Sequence, residues 1–409
     1  MGAEPGTDVD VDLLVVGAGP AGVAAALTAH RLGRSVRCVD RAVFPRDKTC
    51  GDGLTAGALR RLEDLGVAVP GLATTQPVDT VVLEGPTGRR VTLPLPTDGH
   101  HAVVTTRADL DAALVAHARA AGITVREGEA VTAVTADHHG VTVTHGDHTT
   151  RARFVVAADG HYSTVRRLVD PGGAADLGSW HAFRQYFRGV HDPRLWVLFE
   201  ADLLPGYAWV FPLPDGRANV GFGVLRDRDT RGKDLAARWR DLLARPSVRA
   251  VLGPDAEPED RQRAWPIPAT FVPARTTAGR VLFAGDAAGV VDPMTGEGIA
   301  QALETGVLAA HAVAAGGPVA EVAARYRGSV TSALGRDLRF AALLQQVLRS
   351  RAGTAAALAL VDCSPWTRRN FARWMFEDYP RALLLTPGRW RTGALTPPGA
   401  FRTPSVRAS

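Results

Sequence analysis

Residues 12–16 (DLLVV) form an almost unbroken apolar run, the pattern of a strand buried on both faces of a parallel sheet. Residues 20–32 are alanine-rich and helical in composition, Gly33 is placed to stop that helix, and 35–39 reads as a second strand. The chain thus opens as a βαβ unit. A helix is predicted over 55–65, with Leu59, Leu62 and Leu65 at three-residue spacing, and another over 109–121. Short strands are predicted near Val125, at 131–134 and at 141–143, and the run 154–157 leads back into the sheet. From about 180 to 225 the pattern changes to alternation broken by turns, as in an antiparallel sheet. Within it, 207–211 and 218–224 flank Leu213-Pro214-Asp215-Gly216, and Asp-Gly between two such runs signals a hairpin. An apolar strand at 281–284 resumes the first pattern, and helical composition dominates from 297 to about 374. No internal repeat or low-complexity tract interrupts the chain. A simple dinucleotide fold would run its six strands consecutively, so this interruption is itself informative.

At 409 residues, 46% hydrophobic and 22% charged, the chain reads as a globular protein of two or three domains and not as a disordered one. The longest apolar candidate, 355–361, is less than half of the roughly 18 residues a membrane span needs. The first ten residues lack the basic and apolar regions of a secretory signal, so a cytoplasmic location is expected. Cys38, Cys50 and Cys363 show no CxxC spacing, against a disulfide framework or a structural zinc site. His138-His139 and His145-Gly146-Asp147-His148 fall in turn-like sequence with no further ligands, so solvated loops are expected and no metal. The net charge of +5 does not mark a nucleic-acid partner: all but two basic residues are arginines, scattered along the chain without interleaved aromatics. The oligomeric state is left open.

Gly17-Ala18-Gly19-Pro20-Ala21-Gly22 follows the first strand and opens a helix, the context in which a GxGxxG motif binds a dinucleotide. Gly17 permits the tight turn, Gly19 lets a pyrophosphate approach the backbone, and Gly22 allows close packing of helix on strand. Free N–H groups at the helix start then face the phosphates. Asp40 ends the second strand, placed to accept ribose hydroxyls. No second GxGxxG is present to hold a nicotinamide cofactor permanently, so NAD(P)H or another reductant would act as a transient electron donor.

Residues 280–288 (RVLFAGDAA) resemble the late GD segment of para-hydroxybenzoate hydroxylase-type flavoproteins, whose aspartate, here Asp286 after Gly285, binds a ribityl hydroxyl of FAD. Residues 293–299 (PMTGEGI) resemble that superfamily's turn beneath the isoalloxazine. A helix start there offers N–H groups to the flavin edge that becomes negative on reduction. Residues 158–166 (ADGHYSTVR) match its DG motif, with Asp159 and Gly160, and Arg107 matches an arginine that contacts the cofactor. Residues 44–54 (FPRDKTCGDGL) resemble the signature of the geranylgeranyl reductase family, and Tyr207-Ala208-Trp209-Val210-Phe211-Pro212 resembles its YxWxFP stretch. Over about 10–310, the resemblance implies an α/β + α+β fold. A Rossmann-like, glutathione-reductase-type FAD-binding domain (9–75, 100–172, 276–330) is interrupted by an antiparallel-sheet substrate domain (76–99, 173–275). A C-terminal helical region (331–409) follows, whose end, 387–409, is expected to fray. It implies FAD as cofactor, held by Gly17, Gly19, Pro20, Ala21, Gly22, Asp40, Arg41, Lys48, Cys50, Gly51, Arg107, Val131, Asp159, Gly160, Gly285, Asp286, Pro293, Gly296, Gly298 and Ile299.

Period 2 puts Tyr207, Trp209 and Phe211 on one face of a strand. They form either an aromatic wall for an apolar substrate over the flavin or simply the inner face of the sheet. Cys50 is read as a proton donor with a thiol pKa lowered by nearby Lys48, or as a small residue filling space near the ring. The catalytic candidates are Cys50, Tyr207 and Trp209; Tyr207, Trp209 and Phe211 are the substrate candidates. The function implied is reduction of carbon–carbon double bonds of an isoprenoid, a geranylgeranyl or menaquinone prenyl chain, by hydride from reduced FAD. A lipid substrate of that kind would bring the protein to a membrane surface. The alternatives are an FAD-dependent monooxygenase hydroxylating an aromatic or polyketide substrate through a C4a-hydroperoxide, a halogenase (that group carries a similar WxWxIP stretch), and a non-catalytic flavin-binding protein. The KTCGDGL segment favours the reductase, because many hydroxylases carry an arginine-centred sequence there.

Overall fold

The computed structural model describes residues 9–170, 178–226, 232–376 and 399–402. The opening apolar run becomes the strand Val11–Val16, in which Leu13, Leu14 and Val15 are wholly buried. Each such side chain contributes about 1.5–3 kcal/mol by leaving water. A strand with no solvent face belongs in the middle of a covered sheet. It pairs in parallel with Val36–Val39 on one side and with the second half of His148–Ala157 on the other. Thr124–Arg126 extends the sheet past Val36–Val39, and Val281–Phe283 extends it past His148–Ala157, both in parallel. An antiparallel hairpin, Val131–Ala136 with Val141–His145, hangs from the first half of His148–Ala157.

The helix Pro20–Arg31 starts on a proline, whose missing N–H is harmless in a first turn. It packs against the later helix Ile299–Ala314. The helix expected at 109–121 spans Arg107–Ala120 instead. Thr106 caps it, its hydroxyl accepting the Asp109 N–H at 3.4 Å, which carries Arg107 into the first turn.

The second sheet is ordered Glu257–Pro258, Trp180–Arg188, Arg217–Leu225, Tyr207–Leu213, Leu195–Leu198, Thr80–Glu84, Arg90–Pro94, with Arg263–Ile267 also paired to Trp180–Arg188. Its pairings are antiparallel except between Leu195–Leu198 and Thr80–Glu84. The expected hairpin closes through Asp215 and Gly216, both at positive φ (60° and 68°), the type I′ geometry that matches strand twist. Phe183 and Phe222 of this sheet stack against Trp239 of the helix Gly232–Ala244, ring centroids 5.5 and 6.1 Å away. A three-stranded sheet of Gly53–Thr55, Ala102–Val104 and Gln76–Pro77 lies apart from both larger sheets.

The helical composition of the C-terminal part resolves into Ile299–Ala314, Val319–Leu348, Arg351–Val361 and Pro365–Phe376. The fraying expected of 387–409 lies outside the described residues except at 399–402. There Ala400 bridges to His100 with hydrogen bonds of 2.8 and 3.0 Å, so that piece of the tail is tied down.

Candidate active site

A cavity of about 700 Å³ runs from the glycine turn after the first strand, past the Cys50 turn, to the C-terminal helices. The candidate site residues expected from sequence line it, with two exceptions. Gly22 is a packing position: a Cβ there would lie 1.7 Å from the Gly17 carbonyl oxygen. Pro293 is buried away from the cavity, its carbonyl accepting the Gln345 amide at 2.6 Å; the cavity lining in that loop comes from Met294 to Ile299.

The residues present fit FAD. A Cβ on Gly19 would meet only the side-chain ends of Arg46 (3.6 Å) and Arg107 (3.9 Å), so open space and two guanidiniums lie where a pyrophosphate would rest. The helix beyond has no side-chain cap, leaving its first N–H groups available. Arg107 is held rigid by a bidentate pair with buried Asp111 at 2.9 and 2.7 Å, and Arg46 reaches the same carboxylate at 2.9 Å. Asp40 accepts the Ala18 and Ala42 N–H groups at 2.7 and 2.8 Å, fixing the glycine turn while each oxygen keeps acceptor capacity for a ribose. Asp159 accepts the Val165 N–H through Oδ2 at 3.1 Å, and its buried Oδ1 lacks a hydrogen-bond partner, an acceptor on the cavity wall left for a ligand. Asp286 pairs with Lys48 at 2.9 Å; burial alone would raise its pKa, but Lys48 together with Arg107 and His161 holds it below the usual carboxylate range.

The Cys50 turn is set by polar groups from the second sheet. Arg184, wholly buried, donates from Nη2 to both oxygens of Asp47 at 2.7 and 2.9 Å and from Nη1 to Asp260 at 3.2 Å. Asn219, also wholly buried, donates to the Cys50 carbonyl at 2.8 Å and to Asp52 Oδ2 at 2.7 Å, and accepts the Trp209 indole N–H at 2.9 Å. The Tyr186 hydroxyl donates to Asp52 Oδ2 at 2.6 Å. Burial pushes the Asp52 carboxyl up to about 6, against the lowering effect of these donors. The Arg184 guanidinium is expected to matter to stability. Arg184→Met keeps the stem but leaves Asp47 with Arg263 alone (3.3 Å) and Asp260 with the Tyr186 N–H (2.8 Å), at a cost of about 2 kcal/mol. The melting temperature of the FAD-loaded protein should fall by about 2–3 °C; an unchanged value would mean that Arg263, the Tyr186 N–H and solvent balance Asp47 and Asp260 without Arg184.

Tyr207, Trp209 and Phe211 stand in a row on one face, neighbouring ring centroids 6.2 and 6.1 Å apart. The row presses on the Cys50 turn: a Cβ at Gly51 would lie 3.3 Å from Phe211 Cε2. The Tyr207 hydroxyl donates to the Thr295 carbonyl of the opposite loop, joining the wall to the turn beneath the expected flavin. The lowered Cys50 pKa expected from Lys48 is not what the structure gives. Burial and then the Asp52 charge push the thiol up, while Lys48 is engaged by Asp286. Cys38 is an inert core residue, its thiol pushed by burial up to about 12. Among the histidines, His138, His139 and His148 are exposed as expected, but His145 is wholly buried between Glu129 (2.6 Å) and Thr150 (2.9 Å). No cluster able to hold a metal occurs among the described residues.

Sequence reasoning missed Arg46, Asp47, Asp52, Arg184, Tyr186 and Asn219, and also the far wall, formed by Leu344, Leu348, Ala357, Leu358, Phe371 and Met375 of the C-terminal helices. An arginine inside an otherwise aromatic strand (WHAFRQYFR) was the available signal for Arg184.

A parallel sheet that opens on a glycine turn, beside a cavity with an aromatic wall, places the chain among the FAD-dependent oxidoreductases. The chain belongs to the FAD binding domain family, whose model matches residues 10–316. It is 34% identical over 322 residues to the menaquinone reductase of Mycolicibacterium smegmatis, covering 75% of this chain and 77% of that one. To digeranylgeranylglycerophospholipid reductase 1 of Methanopyrus kandleri it is 31% identical over 317 residues, covering 74% and 80%. In fold it is similar to a geranylgeranyl bacteriochlorophyll reductase-like protein of Thermoplasma acidophilum, with a TM-score of 0.76 at 22% identity over 92% and 98% of the chains. A flavin-dependent halogenase, CmlS, shares the fold at a TM-score of 0.69 and 25% identity, covering 90% of this chain and 71% of that one. The resemblance to geranylgeranyl reductases read from 44–54 and 207–212 thus agrees with the relatives.

Proposed function

We propose that this protein reduces carbon–carbon double bonds in the isoprenoid chain of a lipid, with NAD(P)H or another soluble reductant as transient electron donor. The observation that carries the reading is one continuous cavity. It leaves the phosphate cradle, passes Cys50 and the Tyr207–Trp209–Phe211 face, and ends among apolar side chains of the C-terminal helices. A long hydrocarbon fits such a lining and a small polar substrate does not. The relatives named as reductases of menaquinone and of digeranylgeranylglycerophospholipid, both isoprenoid compounds, support it. FAD, when bound and reduced, supplies the hydride. The aromatic face orients the alkene and excludes water. Cys50, kept as a thiol by burial and by Asp52, has a proton to give the second alkene carbon. The two alternatives separate on one experiment. Reduced enzyme is mixed with geranylgeranyl diphosphate or menaquinone without air, the hydrogens added to the prenyl chain are read by mass, and the same mixtures are then opened to air. Reoxidation without air that adds two hydrogens to a prenyl double bond is the expected result; its absence, with oxygenated product formed in air, would replace the reductase reading with the monooxygenase one.

The same reading places the C-terminal helices against lipid. No helix among the described residues is long and apolar enough to cross a membrane. Leu343, Leu360 and Trp366 on these helices are nevertheless 65%, 69% and 71% exposed. Flotation with anionic liposomes is expected to carry the protein, and Leu360→Glu with Trp366→Glu to release it. A parent protein that floats with no lipid composition would point to a soluble substrate.

A further inference from the structure

Asp52 is the least ordinary residue of the Cys50 turn. It is wholly buried, and it holds φ at 64°, a left-handed backbone that side-chain-bearing residues seldom adopt. Its carboxylate is clamped from three elements. Asn219 and Tyr186, on adjacent strands of the second sheet, both donate to Oδ2, and the Arg107 N–H at the start of its helix lies 3.3 Å from Oδ1. Asn219 spends its other bonds on the Cys50 carbonyl and the Trp209 indole, so its amide has one orientation that satisfies every partner. The charged groups acting on Asp52 are the Arg184 and Arg107 guanidiniums, and those acting on Cys50 are Asp52, Arg107 and Lys48. Lys48 and Arg107 are both committed to other carboxylates, Asp286 and Asp111. Burial aside, Asp52 is the carboxylate whose charge pushes the Cys50 thiol up, while its backbone N–H bonds the sulfur and pulls the other way.

We propose that Asp52 is a positioning residue for Cys50: through Asn219 it fixes the turn against the aromatic wall, and its negative charge keeps the Cys50 side chain a protonated thiol. A thiolate has no proton to donate, so the arrangement keeps the sulfur in the form a proton donor needs and makes it a poor nucleophile. This role belongs to the geometry of the turn and stands whether or not the substrate is an isoprenoid.

The test reads the thiol, not turnover. In FAD-loaded protein carrying Cys363→Ser, which removes the exposed cysteine, iodoacetamide labelling of Cys50 is followed by peptide mass from pH 6 to pH 10. The parent midpoint is expected above the roughly 8.5 of a free thiol. Asp52→Asn removes the charge and keeps the shape, and Asp52→Gly removes the charge while suiting the left-handed backbone. Both are expected to lower the midpoint by about one to two pH units, the usual effect of deleting one nearby like charge. A merely loosened turn would speed labelling at every pH and leave the midpoint in place. A parent midpoint at or below that of a free thiol would overturn the proposal by itself, and so would unmoved midpoints in the charge-removing variants.

Discussion

Gly19→Val is expected to fold and to lose FAD. The backbone at Gly19 is extended, with φ at −79°, and open to any residue. The space beyond holds only the flexible ends of Arg46 and Arg107. Branched methyl groups would therefore sit without strain in the empty protein, in the volume the pyrophosphate must occupy. They would also hold the phosphates away from the helix N–H groups and the two guanidiniums. Losing even two charge-assisted hydrogen bonds of about 1.5–3 kcal/mol each weakens binding by about 100-fold or more. Gly22→Val makes the contrast: its Cβ would overlap a backbone oxygen, so that variant should not yield folded protein at all. Asp286→Ala should weaken FAD binding too, with Lys48 left unpaired in the same pocket. Titration of apo-protein with FAD, checked against circular dichroism for folding, measures each case. Undiminished FAD affinity in both Gly19→Val and Asp286→Ala would remove the basis for placing the cofactor here.

Cys50→Ala and Trp209→Ala should fail in different ways. On the proposed reading, the alanine at position 50 leaves the FAD cradle intact but removes the proton donor, which typically costs on the order of 10²–10⁴-fold in rate. The loss should appear in the rate of anaerobic reoxidation by a prenyl compound, with little change in the concentration needed for half-saturation. Trp209→Ala removes contact area and not a reacting group, so it should raise that concentration. It also frees the Asn219 carbonyl, so a smaller rate effect is expected through the Cys50 turn. Equal reoxidation rates for Cys50→Ala and parent would assign the proton to water or to another group.

What the sequence disclosed was local. The buried strand, the glycine turn, the aspartate at the end of the second strand and the hairpin at Asp215-Gly216 each carry their signal within a few residues, because backbone sterics and strand burial act at short range. Tyr207, Trp209 and Phe211 were legible for the same reason, as a period-2 row. The polar scaffold around Cys50 was not. Asp47 and Arg184 stand 137 residues apart, and Asp52 and Tyr186 stand 134 apart. No spacing rule links such pairs; only the docking of the Cys50 segment against the strand Trp180–Arg188 does. His145 looked like a loop histidine until Glu129 and Thr150 enclosed it, and Lys48 looked free to act on Cys50 until Asp286 claimed it. The apolar face of the C-terminal helices was visible as composition, but which cavity it would cover depended on the tertiary path.

That path also governs how the chain comes off the ribosome. Val11–Val16 can pair early with Val36–Val39, but its other edge is filled only when His148–Ala157 has been made, and that strand gains its own outer neighbour only with Val281–Phe283. At roughly 5–20 residues per second, the sheet stays incomplete for on the order of 15–50 s after its first strand is made. Throughout this time an apolar strand edge is open to other nascent chains. The second sheet, whose strands from Trp180 to Leu225 are joined by close antiparallel connections, can assemble in the interval. Synthesis at low temperature or with abundant chaperone should therefore raise the yield of soluble protein more than changes at the surface would.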